Sequence, residues 1–322
     1  MKVSVVVPIY KVERFVERCL RSLMEQTLQD VEFILVDDAS PDRSMAVVER
    51  VLKGYPDRSG QVKVLRHEVN RGVSFARRTG LLQAEGDFIY HCDSDDFLEL
   101  DALEKMFNAA LIHRADIVYT DWYLTFRKKE RLMKQPACDS PEQALKCLLH
   151  GSMKYNVWNK LVKKSLYSDY KISFPEGHSV GEDMTMIRLF LFAKSVIYLP
   201  VATYHYNQQN VNAYSVQKPS ERVYSDIYYN ALLVIGSLNQ IVSEYDINCF
   251  KLNVKFPFLI SPDIDSYEKW QQWFPEANAA ISTHDVSWRM RMLERFAARR
   301  WYFLLKCYYY YVHRVMYGLI YS

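Results

Sequence analysis

Short apolar runs alternate with segments of helical spacing through the first hundred residues. Residues 3–7, 31–36, 62–65 and 87–92 form largely apolar runs that end at turn-forming or acidic residues. Runs of this kind predict buried strands. Between them, apolar residues recur every three or four positions, which predicts helices. The alternation predicts an α/β fold with a mostly parallel sheet and flanking helices.

Two local signals predict where helices begin. Ser40 followed by Pro41 is typical of an N-cap and the first position of a helix, here the second one. Ser140 with Gln143 forms a capping box, which predicts a short helix that ends near Gly151.

The pattern changes along the rest of the chain. Strand-like runs return at residues 117–126 and 196–206, and helical spacing dominates from about residue 219. We therefore expect one domain over residues 1–215, with a first half over 1–100 and a second over 101–215. Residues 216–322 are expected to form a helical C-terminal region.

Composition and charge exclude several classes of protein. The chain has 322 residues, of which 49% are apolar and 25% charged, so it is a globular protein rather than a disordered one. A net charge of +3 is too small for a dedicated nucleic-acid binder, which usually has a strong excess of basic residues. We therefore expect no nucleic-acid partner. The six cysteines show no zinc spacing, which favours reduced thiols in a cytoplasmic location. The sequence shows no signal peptide and no apolar run long enough to span a membrane.

Polar residues follow three of the predicted strands at the point where each strand ends. They are Pro8 to Tyr10, Asp37 with Asp38, and the acid loop, Asp93-Ser94-Asp95-Asp96. Ligands of parallel α/β sheets bind at these carboxyl ends. Asp93 and Asp95 share a face if the strand continues, and such a pair suits Mg²⁺ or Mn²⁺. The alternative is an acidic turn that caps the next helix.

Four blocks together resemble family 2 glycosyltransferases of the GT-A fold. The blocks are VSVVVPIY at 3–10, VDDAS at 36–40, NRG at 70–72 with Ala76-Arg77, and Gly86-Asp87 leading to the acid loop. Their order and spacing carry the resemblance over about 100 residues. The blocks WNKL at 158–161 and GED at 181–183 resemble those of bacterial cell-surface polysaccharide members, which extends the resemblance to about residue 215.

The resemblance implies a role for each matching position. Asp183 would be the general base, and Asp95, with Asp93, would bind Mn²⁺ or Mg²⁺. The implied nucleotide-sugar contacts are Pro8, Tyr10, Asp37, Asp38, Arg77, Asp93 and Ser94. The chemistry agrees with these residue types, because a cation neutralises the departing diphosphate and one carboxylate can deprotonate an acceptor hydroxyl. Asp183 has a plainer interpretation as an acidic residue at a helix start.

Four further residues are weaker candidates for acceptor or diphosphate contacts. Glu182 is the carboxylate beside Asp183. Lys160 is a diphosphate contact or a surface lysine. Trp158 either stacks on a sugar or belongs to the core, and His205 either approaches the metal or is a satisfied strand histidine.

The end of the chain is basic and aromatic. Residues 288–322 hold seven Arg or Lys and eleven aromatic residues against one acid, Glu294. Aromatic residues beside cations favour the headgroup region of an anionic bilayer, so we expect peripheral association with the inner face of the plasma membrane. A helical hairpin packed on the domain, or an oligomer interface, is the alternative.

These observations predict an inverting glycosyltransferase. It would move a sugar from a nucleotide-sugar, most simply a UDP-sugar, to a hydroxyl of a growing, lipid-linked cell-surface glycan. One alternative is a sugar-phosphate nucleotidyltransferase, although the glycine-rich loop expected after the first strand is missing. Another is an inactive membrane-associated assembly protein. The sugar, the acceptor and the oligomeric state stay open.

Overall fold

Four parallel strands form the first half of one sheet in the computed structural model, which describes residues 1–210 and 220–312. Their spatial order is β3-β2-β1-β4. The bounds are β1 Val3–Ile9, β2 Val31–Asp37, β3 Val62–Arg66 and β4 Phe88–His91. The intervening helices are α1 Val16–Met24, α2 Ser44–Leu52 and α3 Val73–Gln83. The predicted alternation of strand and helix is confirmed here, and β1 and β2 are buried along their whole length.

The second half of the sheet is mixed. It continues from β4 in the order β8-β6-β9-β5, and β7 pairs with the far end of β6. Strand β8 runs antiparallel to both β4 and β6, whereas β6 and β9 are parallel. The strands are β5 Phe97–Leu98, β6 Ile117–Thr125, β7 Glu130–Met133, β8 Lys160–Lys163 and β9 Val196–Asn207. The α/β class is confirmed, with antiparallel pairs added by strands that the sequence pattern did not predict.

Helices cover this second half and continue beyond it. Within it lie α4 Ala102–His113, α5 Pro141–Leu149, α6 Lys164–Asp169 and α7 Thr185–Phe192. The capping box at Ser140 does open α5, since the Ser140 hydroxyl accepts from the Gln143 N–H at 3.1 Å. Just before α7, Glu182–Met184 forms a single 3₁₀ turn, which we call the base turn.

Helix α2 begins later than predicted. Ser40 is not its N-cap, because the helix starts at Ser44. The N-cap is Arg43, and Asp42 just before it accepts from the Ser44 N–H at 3.0 Å and from the Ser40 hydroxyl at 2.7 Å. Ser40 instead accepts from the Lys11 N–H at 2.8 Å, which ties the ends of β1 and β2 together.

Close packing holds α3 against β1. A Cβ added at Gly80 of α3 would lie 2.4 Å from a methyl carbon of Val6, so a larger residue there would push the helix away. This contact fixes the height of α3 above the sheet. It matters for the site because α3 also carries Arg77.

The chain divides into two compact units. The first comprises residues 1–145 and 155–234, and the second comprises residues 146–154 and the chain from residue 235 onward. Helix α8 Glu221–Leu238 runs from the first unit into the second, which contains α9 Glu244–Lys255, α10 Ile264–Gln272, α11 Trp288–Ala298 and α12 Tyr302–Tyr311. Residues 220–312 show the helical character expected of this region. The predicted functional division at residue 215 stays a prediction.

The part of the chain that the structure describes contains no helix that could span a membrane. None of its helices is both long enough and apolar enough to pass through a bilayer.

Candidate active site

The acid loop follows β4 and is anchored by β9. The carboxylate of Asp96 is 1% exposed and accepts hydrogen bonds from the Tyr204 hydroxyl and the Asn207 N–H, each at 2.7 Å. The same tyrosine oxygen accepts from the Asp93 N–H at 3.1 Å. Tyr204 and Asp96 therefore fix the backbone of the loop, which leaves the Asp93 side chain partly exposed.

The carboxylates of the acid loop are crowded. Burial raises the pKa of Asp95, and the charge of Asp93 adds to this increase. Burial also raises the pKa of Asp96 well above its usual range, with Asp95 as the next largest cause. Repulsion of this kind is relieved when a cation binds between or beside the carboxylates.

A metal ion would need ligands from a second source. Within residues 1–210 and 220–312, no three His, Cys, Asp or Glu side chains converge well enough to hold one. Asp93 and Asp95 supply carboxylate oxygens, which fit Mg²⁺ or Mn²⁺, and these ions keep open positions for water and phosphate oxygens. The donor set therefore fits a cation that is shared with a bound diphosphate.

Arg77 links the acid loop to the base turn. Its side chain is 3% exposed, its Nη2 donates to the Asp93 carboxylate at 2.6 Å, and its Nε lies 3.5 Å from a Glu182 oxygen. Burial lowers the pKa of Arg77, but the charges of Asp93 and Glu182 outweigh it and raise the pKa overall. This arginine thus stays charged and holds the two acidic groups near each other.

The base turn carries two carboxyl groups with perturbed pKa values. Burial raises the pKa of Asp183 to about 6, although Arg77 and Lys160 oppose the shift. Burial, followed by the charge of Asp183, raises the pKa of Glu182 to about 8. A pKa near neutrality is the property expected of a carboxylate that acts as a general base.

Lys160 is buried, and its charge acts on Asp183 of this turn. It is 1% exposed, and its ammonium donates to the Asn156 carbonyl and to Asn159 Oδ1, each at 2.8 Å. Burial lowers its pKa to about 7, against the opposing charge of Asp183. The surface interpretation of this lysine is therefore wrong. Its position follows from β8, a strand that the sequence did not reveal.

Trp158 is a core residue in this structure. Its ring stacks on that of Tyr204, with centroids 4.4 Å apart, and meets Trp122 edge-on at 5.0 Å. The packing agrees with the core alternative, and a sugar contact by Trp158 stays a prediction.

Both ring nitrogens of His205 have acidic partners. One ring nitrogen lies 2.8 Å from Glu130 and the other 2.8 Å from Glu99, and the ring stacks on Phe97 at 4.2 Å. These contacts agree with the satisfied strand histidine, and an approach to metal or diphosphate stays a prediction.

The predicted nucleotide contacts lie at the ends of β1 and β2. Pro8 is buried within β1 opposite Val36, whereas Tyr10, just beyond the strand, is 38% exposed. Asp37 is buried and accepts from the Ser40 N–H at 2.9 Å. These positions are at the edge of the sheet where the acid loop also begins.

Asp38 supports the loop before α3. Its oxygens accept from the N–H groups of Arg71 at 2.9 Å and Gly72 at 2.8 Å, and from the Asn70 amide at 2.9 Å. His67 approaches the same carboxylate at 2.7 Å. These hydrogen bonds give Asp38 a structural role in the loop before α3. Its role in nucleotide binding stays a prediction.

Two residues that shape the site carry no signal in the sequence. Tyr204 fixes the acid loop, and Asn210 donates to the Asp95 carboxylate at 2.7 Å. Both act over more than a hundred residues of chain, a distance that no local pattern spans.

The chain matches Glycosyl transferase family 2 over residues 4–171 and belongs to that family. Among its relatives, EpsH of Bacillus subtilis (strain 168) is described as a glycosyltransferase and is 33% identical over 212 residues, which cover 63% of this chain and 60% of EpsH. The poly(ribitol-phosphate) beta-glucosyltransferase of Bacillus spizizenii is 30% identical over 214 residues, which cover 64% of this chain and 32% of that protein. The chain thus spans about six tenths of EpsH, and less of the second relative.

Solved structures confirm the GT-A fold. Residues 1–349 of TarS from S. aureus, in complex with UDP-GlcNAc, align with a TM-score of 0.70 and 22% identity, covering 92% of this chain and 87% of that one. The mannosyltransferase PcManGT from Pyrobaculum calidifontis, in complex with GDP-Man and Mn²⁺, aligns with a TM-score of 0.53 and 15% identity, covering 93% and 86%. At these identities the likeness concerns the fold alone.

Proposed function

We propose that the protein is an inverting glycosyltransferase that moves a sugar from a nucleotide-sugar to a hydroxyl of a growing cell-surface glycan. The supporting observation is the bridge made by Arg77, which joins the acid loop to the base turn. It brings a candidate metal-binding pair and a candidate base into one cluster. A UDP-sugar is the simplest donor, since the similar TarS structures contain UDP-GlcNAc and UDP.

The donor side of the proposal rests on Asp93 and Asp95. These two residues would hold Mn²⁺ or Mg²⁺ together with the donor diphosphate. When bound, the cation supplies the positive charge that stabilises the departing diphosphate. Pro8, Tyr10, Asp37, Asp38 and Ser94 complete the proposed nucleotide pocket.

Asp183 is the proposed general base. Burial raises the pKa of both carboxyl groups of the base turn, and the charges of Arg77 and Lys160 favour the ionised form of Asp183. Asp183 takes the proton of the acceptor hydroxyl as that oxygen bonds to the anomeric carbon. The bond from this carbon to the diphosphate breaks in the same step, which inverts its configuration.

The proposed place of action is the anionic inner face of the plasma membrane, with a lipid-linked acceptor. The support comes from the second unit, where Trp288 of α11 is 69% exposed and Phe303 of α12 is 77% exposed. Glu294, the one acidic residue among residues 288–312, is buried against His284 at 3.0 Å. The outer surface of these helices therefore presents aromatic and basic side chains without a compensating acid.

Substitution of Asp183 tests the proposed reaction. Asp183→Asn should spare metal-dependent UDP binding and lower turnover by a factor of about 10² or more, because the acceptor loses its base. Asp265→Asn, an exposed aspartate of α10, is the matched control. Near-normal turnover by Asp183→Asn would remove it as the base.

Product analysis separates the alternatives. Release of UDP from a UDP-sugar supports glycosyl transfer. Release of pyrophosphate from a nucleoside triphosphate and a sugar phosphate would identify a nucleotidyltransferase instead. UDP binding without turnover of any donor in a panel of nucleotide-sugars would favour an inactive assembly protein.

A further inference from the structure

The loop over residues 174–181, which we call the base loop, leads directly into the base turn. Helix α3, together with Arg71 just before it, holds its first part. The Ser74 hydroxyl donates to the Pro175 carbonyl, and the guanidinium groups of Arg71 and Arg78 both pair with Glu176, that of Arg71 at 2.7 Å. Because α3 also carries Arg77, one helix positions both the start of the base loop and the acidic cluster.

Helix α8 holds the second part of the base loop through two side chains. One oxygen of the buried Asp226 accepts from the Ser179 N–H at 3.0 Å and from the Val180 N–H at 3.4 Å. Its other oxygen lies 3.1 Å from His178 Nδ1. The amide of the buried Asn230 donates to the Val180 carbonyl at 2.9 Å.

The two side chains act as a unit because they stand four residues apart, on one face of α8. Between them they satisfy two N–H groups and two carbonyls of the base loop, because the Asn230 amide also donates to the His178 carbonyl at 3.4 Å. The ring of Tyr229 adds a stacking contact on His178, with centroids 3.7 Å apart. The backbone is thus fixed on the loop side of Gly181, whose φ of 82° turns the chain into the base turn.

The position of Asp183 therefore depends on α8. Gly181 separates the residues that α8 holds from Glu182 by a single position, and the Asn230 Cβ lies 3.7 Å from where a Gly181 Cβ would stand. The acidic and amide side chains responsible lie well beyond residue 171, where the match to the family ends.

We propose that Asp226 and Asn230 are positioning residues for the base, and that they fix the base loop so that Asp183 meets the acceptor hydroxyl. The inference rests on the proposed function, since the role of Asp183 is itself proposed. Neither residue touches the acid loop in the contacts that the structure describes. Donor binding should therefore be independent of them.

Two substitutions test this inference. Asp226→Asn replaces one acceptor oxygen with an NH₂ group that faces backbone or ring donors, and Asn230→Ala removes the donor to Val180. Each should lower kcat by about tenfold or more, because a displacement of about 1 Å at a reacting group can cost a factor of about 10². The KM for the donor and the Mn²⁺-dependent affinity for UDP should stay unchanged.

A structural readout accompanies the kinetics. Hydrogen exchange of the Ser179 and Val180 amides should accelerate in both variants. Asp226→Glu, which keeps the acceptor oxygens, should restore part of kcat. The matched control is Asp246→Asn in the second unit, another buried carboxylate that pairs with a histidine, His150, at 2.8 Å. It should lower stability without a specific loss of kcat.

The outcomes separate this inference from the proposed function. If kcat stays near the normal value in Asn230→Ala while Asp183→Asn is inactive, the positioning role is wrong. A rise in donor KM equal to the fall in kcat would also overturn it. If Asp183→Asn is fully active, Asp183 is not the base. Accelerated exchange in the α8 variants would then show only that Asp226 and Asn230 stabilise the base loop. Should Asp226→Asn not fold, Asn230→Ala decides alone.

Discussion

At the residue scale, the proposed donor site depends on individual carboxylates. Asp95→Ala should abolish Mn²⁺-dependent binding of UDP while the fold persists, because one of two proposed metal ligands disappears along with a buried charge whose pKa burial raises. Titration calorimetry with UDP, with and without Mn²⁺, measures the effect. Asp87→Ala is the matched control, since Asp87 is exposed and precedes β4 at its opposite end. An unchanged metal dependence in Asp95→Ala would refute the assignment.

The sequence identified the acidic residues of the candidate site, but not the residues that hold them in place. Asp93, Asp95 and Asp183 could be picked out because each lies at the end of a strand or the start of a helix, where a polar cluster interrupts an apolar pattern. Tyr204 and Asn210 could not, because each lies more than a hundred residues from its partner. Their role depends on the return of β9 to the acid loop.

At the element scale, β8 carries Lys160 to the base turn, and the pH profile should report this placement. In the normal enzyme, kcat/KM should rise with pH through about 6, as Asp183 loses its proton. Below pH 7 the Lys160 ammonium is charged and lowers the pKa of Asp183. Lys160→Met should therefore move the acidic limb to higher pH, by about one unit.

Strand β8 also supplies the control for this experiment. Lys163 ends the same strand, is exposed and lies 3.5 Å from Asp116, so Lys163→Met should leave the limb in place. An acidic limb that is equal in Lys160→Met and in the unsubstituted enzyme would show that Lys160 does not act on the base.

Element length explains which strands the sequence could predict. Strands β1 and β2 are buried runs whose apolar pattern stands out without any partner. Strands β5, β7 and β8 have two to four residues each, and only their pairing with β9, β6 and β4 makes them strands. Because β8 runs antiparallel between β4 and β6, the mixed character of the sheet could not be predicted from the sequence either.

At the scale of the whole molecule, charge is distributed unevenly despite a net charge of only +3. In the second unit, α11 buries Leu293, Glu294 and Ala297 on one face. Its other face lines an open groove of about 420 Å³. The lining residues are Trp288, Arg291, Met292, Arg295, Phe296 and Arg299. Aromatic and basic side chains thus alternate along this face, and the one acidic residue of α11, Glu294, is turned inward, an arrangement that suits anionic headgroups.

Charge reversal on this face should weaken membrane binding. Arg295→Glu with Arg299→Glu should lower the affinity for vesicles that contain anionic phospholipids by about 30-fold or more, since each arginine near such a surface contributes about 1 kcal/mol. Pelleting with neutral and anionic vesicles at low and high salt measures the effect, and salt should weaken only the binding to anionic vesicles. The pair Arg43→Glu with Lys53→Glu makes the same change in charge at exposed positions of the first unit and should have no such effect. Equal pelleting of the two double variants would show that α11 does not face the membrane and would leave the proposed reaction untouched.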